Sequence, residues 1–128
     1  MKANITHVAI YTTDLERLKV FYQEYFDAKS NTKYENDKGF SSYFLTFSSG
    51  ARVEIMSHTE LKDREIEDRI PGLSHIAFSV GTKENVIVLT KRIISDGYTL
   101  LSQPRYTGDG YFESCISDPD GNRVEITI

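Results

Sequence analysis

His7, Glu54, His75 and Glu125 are the residues of this sequence whose types and spacing suggest a reactive centre. Each lies in a run of alternating polar and apolar residues, the period expected of a half-buried strand. Successive strand side chains point to opposite faces. Val8 and Ile10 therefore face one way while His7, Ala9 and Tyr11 face the other. The same phase separates Val53 and Ile55 from Arg52, Glu54 and Met56, and Ile76, Phe78 and Val80 from His75, Ala77 and Ser79. It also separates Val124, Ile126 and Ile128 from Arg123, Glu125 and Thr127. Helices need the β-branched face to pack on, which leaves two imidazoles and two carboxylates on the opposite, concave face. That set suits a divalent transition metal, because neutral imidazole binds Zn, Ni, Co or Fe and carboxylates add hard oxygen donors. A doubly charged cation also offsets two carboxylates that would otherwise repel, and an octahedral ion with four protein ligands keeps positions for water or substrate. A single strand histidine is ordinarily a hydrogen-bonded structural residue. Four such residues, paired and in one phase, argue for a metal site.

The pairing comes from an internal repeat. Ile5-Thr6-His7-Val8-Ala9-Ile10 matches Leu73-Ser74-His75-Ile76-Ala77-Phe78 at an offset of 68 residues, and Arg52-Val53-Glu54-Ile55 matches Arg123-Val124-Glu125-Ile126 at an offset of 71. Three extra residues in the last turn of the second copy reconcile the offsets. Each half begins with a strand, over residues 5–12 and 74–80. A helix follows, and in the first half Thr13-Asp14-Leu15-Glu16 reads as a capping box before Leu15, Leu18, Phe21, Tyr22, Tyr25 and Phe26. In the second half Val86, Leu89, Ile93 and Ile94 form the apolar stripe, with Gly97 placed to end it. Strand-like runs at about 29–36, 41–47 and 52–56 close the first half, and 98–106, 111–117 and 123–128 close the second. Asp118-Pro119-Asp120-Gly121 has the residues of a type I turn. The plan is β-α-β-β-β, twice, an α+β fold.

At 128 residues the chain has the length of one domain, made of modules at about 1–57 and 73–128 with a linker at about 58–72. Hydrophobic residues at 39% and charged residues at 27% indicate a packed globular fold and exclude a disordered chain. The net charge of −4, with both signs interspersed, excludes a nucleic-acid footprint. No apolar run approaches a membrane span, so neither nucleic acid nor membrane is an expected partner. The one cysteine, Cys115, cannot form an internal disulfide, and no secretory apolar region is present; the expected location is the cytoplasm.

The segments His7-Val8-Ala9-Ile10, Arg52-Val53-Glu54-Ile55, His75-Ile76-Ala77-Phe78-Ser79-Val80 and Asp118-Pro119-Asp120-Gly121-Asn122-Arg123-Val124-Glu125 resemble the glyoxalase, bleomycin-resistance and extradiol-dioxygenase group, the vicinal oxygen chelate superfamily. The resemblance spans essentially the whole chain. It implies paired βαβββ modules whose curved mixed sheets enclose a metal-binding cleft, with helices on the outer face. His-Glu-His-Glu resembles the ligand set of bacterial glyoxalase I, which implies His7, Glu54, His75 and Glu125 as ligands of one divalent ion per site, Zn, Ni or Co before Mn or Fe. It implies Glu125 as the proton-shuttling base, with Glu54 as the symmetric alternative, in a metal-dependent lyase or isomerase that works through an enediolate on a small vicinal-oxygen substrate. Glutathione-using members carry Arg and Asn where this chain has Tyr11 and His58, which argues against glutathione dependence. Two other readings of the same fold are an Fe(II) ring-cleaving dioxygenase with His7, His75 and Glu125 as a facial triad, and a binding or resistance protein without chemistry. A homodimer is expected, with the cleft built within one chain or between two.

Other residues have a reading beside their structural one. Tyr11, Arg52 and Arg123 share the phase of the four donors and are candidate substrate contacts; strand arginines more often pair locally. His58 reads as a solvated loop residue, Cys115 as a small buried hydrophobe, and Glu60 to Arg69 as a solvated helical turn able to act as a lid.

Overall fold

The computed structural model of the chain describes residues 1–65, 67 and 69–128, which divide into two compact units, Met1–Arg64 and Glu65–Ile128. The first unit runs β1 (His7–Tyr11), α1 (Leu15–Phe26), β2 (Lys29–Ser30), β3 (Tyr34–Glu35), β4 (Phe40–Thr46) and β5 (Arg52–His58). Its sheet has the order β1-β5-β4-β2, with β3 also paired to β4; β1 and β5 are parallel and the other pairings antiparallel. The second unit runs β6 (His75–Ser79), α2 (Lys83–Ser95), β7 (Leu100–Tyr106), β8 (Phe112–Ser117) and β9 (Arg123–Thr127), in the order β6-β9-β8-β7 with β6 parallel to β9. This is the duplicated βαβββ plan. Among the described residues no helix is long and apolar enough to cross a membrane.

Each helix covers the face its sheet was expected to offer. In the first unit Leu15, Leu18, Phe21 and Tyr22 of α1 are buried, as are Tyr43, Leu45, Val53 and Ile55 of the sheet beneath. In the second, Val86, Thr90 and Ile93 of α2 are buried, as are Ile116, Val124 and Ile126. Leu89 and Ile94 are only half-buried, and the buried centre of the α2 stripe is Thr90. Its hydroxyl lies 2.6 Å from the Val86 carbonyl and 2.6 Å from the Ser114 hydroxyl, so a polar pair crosses the helix–sheet interface fully satisfied.

Several boundaries differ from the sequence expectation, for local reasons. The N-cap of α1 is Asp14 instead of Thr13: its carboxylate accepts the Arg17 amide at 3.0 Å, at N3, where a capping side chain is needed. The 29–36 run divides into the two-residue strands β2 and β3, both paired to β4. β5 extends to His58, paired opposite Phe40, so that histidine belongs to a strand and not to the linker. The expected turn over Glu60 to Arg69 includes residues 66 and 68, which lie outside the described set; the described residues of that stretch form no helix. Gly97 does end α2: at φ +98 it closes the helix with Gly97 N–H to Ile94 O and Tyr98 N–H to Ile93 O, a Schellman arrangement open to glycine at low cost.

Glu16, released from capping, ties α1 to β4. It accepts the Tyr43 hydroxyl at 2.6 Å and lies 2.7 Å from the Lys19 ammonium, which sits 4.3 Å from the Tyr43 ring centre. The hydrogen bond from Lys19, then that from Tyr43, holds the Glu16 carboxyl below its ordinary value. A folded-state value below the unfolded one stabilises the fold above the ordinary carboxylate range, and that contribution is lost as the pH falls through the folded-state value. Tyr43→Phe is expected to cost about 1 kcal/mol at neutral pH. Urea denaturation should show the gap between variant and wild type narrowing as the buffer is taken to acid.

Candidate metal centre

In each unit the histidine stands on an edge strand beside the strand that carries the glutamate. β1 pairs with β5 so that His7 is opposite Arg52 and Ala9 opposite Glu54; β6 pairs with β9 so that His75 is opposite Arg123 and Ala77 opposite Glu125. The two registers are identical. A small alanine opposite each glutamate leaves space for the carboxylate to lean diagonally toward the imidazole two residues away. His7 Nε2 lies 3.6 Å from a Glu54 carboxylate oxygen, and His75 Nε2 lies 3.1 Å from one of Glu125. Both histidines are about two-fifths exposed at the side chain, and both glutamates less so.

The other ring nitrogen is held in the same manner in both units. His7 Nδ1 is 3.0 Å from the Thr6 hydroxyl and His75 Nδ1 is 3.1 Å from the Ser74 hydroxyl. With the ring proton on Nδ1 and donated to that hydroxyl, Nε2 keeps its lone pair on the carboxylate side, the wiring of a metal-binding histidine. The donor spacing agrees. Nitrogen and oxygen ligands about 2.1 Å from one ion stand about 3.0–3.4 Å apart across octahedral or tetrahedral angles. The separations of 3.1 and 3.6 Å are close to that range, so each His–Glu pair fits as two neighbouring ligands of one cation. Within each unit the described residues gather two such donors and no cluster of three or more.

The residues around the pairs differ between the units. In the first, Phe44 lies opposite Glu54, meets His7 edge to face at 5.2 Å, and receives the Arg52 guanidinium at 4.4 Å over its ring. Arg52 is therefore committed to an aromatic face beside the pair. Tyr11 is exposed, on the same face and opposite Met56. His58 shares that face, with Nδ1 accepting the Glu60 amide at 3.0 Å. In the second unit Cys115 is opposite Glu125 and buried, as expected of a small hydrophobe, but on the donor face; burial pushes its thiol up, against the pull of Arg123. Arg123 is half-buried and opposite both His75 and Ser117. Glu113, two residues from Cys115, also faces this side, and burial raises its carboxyl, with Glu125 and Asp109 adding to the effect.

Sequence reasoning missed Thr6, Ser74, Phe44 and Glu113. The first two had a signal, a hydroxyl residue directly before each histidine in both copies of the repeat. Phe44 and Glu113 had none, because their place beside the pairs depends on the registers of β4 and β8.

A sequence profile described as the Glyoxalase/Bleomycin resistance protein/Dioxygenase superfamily matches residues 4–126. The chain is 26% identical over 132 residues to the uncharacterized protein YqjT of Bacillus subtilis, covering 94% of each. It superposes with a TM-score of 0.84 and 20% identity on a glyoxylase/bleomycin resistance protein/dioxygenase domain from Frankia sp. EAN1pec, covering 100% of this chain and 98% of that one. It also superposes on glyoxalase I from Zea mays with a TM-score of 0.80 and 24% identity, covering 97% of this chain but 44% of the maize chain. At these identities the structural likeness is one of fold.

The β8–β9 turn holds Glu125 in register. Asp118 is buried, and its carboxylate accepts the amides of Asp120 and Asn122 at 2.9 Å each and the Asn122 side-chain amide at 2.8 Å. Asp118→Ala leaves these donors without their acceptor and is expected to cost about 2–3 kcal/mol. Chemical denaturation measures that loss, and amide exchange should report faster opening in β8 and β9 than in β4 and β5.

Proposed function

The chain belongs to the Glyoxalase/Bleomycin resistance protein/Dioxygenase superfamily, and on that premise we propose that it is a metal-dependent lyase or isomerase of glyoxalase I type, moving a proton between adjacent carbons of a small vicinal-oxygen substrate. The observation that carries this reading is the duplicated pair: one imidazole nitrogen and one carboxylate per unit, at 3.6 and 3.1 Å, each imidazole anchored at Nδ1 by a neighbouring hydroxyl. His7, Glu54, His75 and Glu125 together supply four donors for one divalent ion, Zn, Ni or Co before Mn or Fe. We further propose a homodimer as the working form, with the two pairs of a site drawn from one chain or from two copies.

A divalent ion held there supplies Lewis-acid polarisation of vicinal oxygens, which makes the adjacent C–H more acidic. The chain's own groups do the rest. Glu125 is the assigned base: its carboxylate takes the proton from carbon, the C–H bonding pair moves into an enediolate, the same carboxylate returns the proton to the neighbouring carbon, and the hydroxyl proton passes from the first oxygen to the second, so that carbonyl and hydroxyl exchange places. Glu54 is the symmetric candidate for that step. Thr6 and Ser74 hold the imidazoles in one orientation while the carboxylate moves. Tyr11, on the donor face, offers a hydroxyl to substrate oxygen. Neither Tyr11 nor His58 supplies the guanidinium or side-chain amide that a glutathione conjugate would use, so the substrate is expected to lack that tripeptide.

Elemental analysis of protein loaded with Zn, Ni or Co should give one ion per four-donor site, and Glu54→Gln or Glu125→Gln should lower that content while circular dichroism stays unchanged. With α-hydroxyketones and 1,2-dicarbonyl thiol adducts in deuterated water, the loaded protein should catalyse exchange of the carbon-bound proton. Loss of the base should slow exchange by about 100-fold or more. Unchanged metal content in both variants would overturn the site, and oxygen consumption with a catechol without proton exchange would replace the lyase reading with ring cleavage.

A further inference from the structure

The two units present the same donor pair but not the same surroundings, and the difference bears on what the site accepts. Register aligns Cys115 with Phe44, each opposite its glutamate, and so aligns Glu113 with Ser42. Where the first unit has a buried serine, the second has a carboxylate. Glu113 lies opposite Thr127 and Arg105, on the face that carries His75, Cys115 and Glu125, about 7 Å along the strand from the position facing Glu125. It is half-buried, and its carboxylate has no hydrogen bond or ion pair among the described residues. The cation nearest in register, Arg105, donates to the Ser102 hydroxyl instead. Glu113 feels Glu125 and Asp109 as repulsive neighbours and Arg105 and His75 as weaker attractive ones.

A partly desolvated carboxylate that has lost water without gaining a donor is a standing electrostatic demand at the edge of a site. We propose that Glu113 is the specificity-determining residue of this centre, selecting substrates that carry an ammonium group a few bonds from their vicinal oxygens and disfavouring those with a carboxylate there. The proposal rests on the metal-centre reading above. It assigns Glu113 to substrate binding, leaving proton transfer to Glu125 or Glu54. An ammonium beside Glu113 restores the missing hydrogen bond and offsets the repulsion from Glu125; a carboxylate adds a third negative charge.

Hydroxamates chelate metals through two vicinal oxygens, so three of similar length test this without turnover: butyrohydroxamate, γ-aminobutyrohydroxamate and succinic monohydroxamate. Titrated into the Co-loaded protein and followed by calorimetry and by the cobalt absorption bands, the amino probe should bind about fivefold tighter than the neutral one, and the succinic probe about fivefold weaker. In Glu113→Gln the three affinities should converge on that of the neutral probe. A second variant, Glu113→Asp, should keep the order with a smaller spread. Equal affinities in the wild type, or an order that persists unchanged in Glu113→Gln, would overturn the selectivity proposal alone. Failure of butyrohydroxamate to perturb the cobalt bands in the wild type would overturn the metal reading and the selectivity proposal with it.

Discussion

The parallel pairing of an edge strand with its neighbour, in one register used twice, is the constraint on which the donor arrangement depends. His7 faces Arg52 while Ala9 faces Glu54; His75 faces Arg123 while Ala77 faces Glu125. This offset of two residues keeps imidazole and carboxylate on one face and brings their tips within 3.6 and 3.1 Å. A slip of one residue in β5 and β9 would turn Val53, Ile55, Val124 and Ile126 away from the helices and send both carboxylates under them, toward Leu18, Phe21, Val86 and Ile93, where an unpaired charge costs several kcal/mol. The apolar face therefore does more than hold the helices. By making any slip of an odd number of residues expensive, it fixes which residues form the polar face as well.

Duplication preserved the frame and let the surroundings diverge. Strand order, hydroxyl-anchored histidine and diagonal glutamate recur in both units, yet Phe44 with Arg52 stacked on it flanks one pair while buried Cys115 and half-buried Glu113 flank the other. The shared parts are those a metal needs, namely donor type, spacing and orientation. The parts that differ are those a substrate would meet.

Most of the architecture was legible in the alternation of apolar and polar residues, because burying one face of a sheet requires that pattern. The core residues Leu18, Phe21, Tyr22, Val86 and Ile93 followed from helical spacing. Element ends were less legible, since they depend on which side chain reaches a free amide. Thr13 and Asp14 are both acceptable caps, and the chain geometry chose Asp14. In the sequence His58 reads as a loop residue, because nothing in its neighbours announces that β4 extends far enough to pair with it through Phe40. Thr90 gives no sequence signal, because a threonine in a helical stripe looks like an interruption until Ser114 is placed across from it.

The amino-acid sequence by itself determined the repeat, the phase of His7, Glu54, His75 and Glu125, and the βαβββ plan, because strand periodicity is a local property set by the alternation of side chains along one segment. Only tertiary structure decided which residues stand beside each pair. Phe44, Cys115 and Glu113 are distant in sequence from the histidines they accompany, and the register of β4 and β8 against β5 and β9 brings them there. A local turn such as the one Asp118 organises joins two strands, but the register is settled by the packing of whole faces, which no single segment encodes.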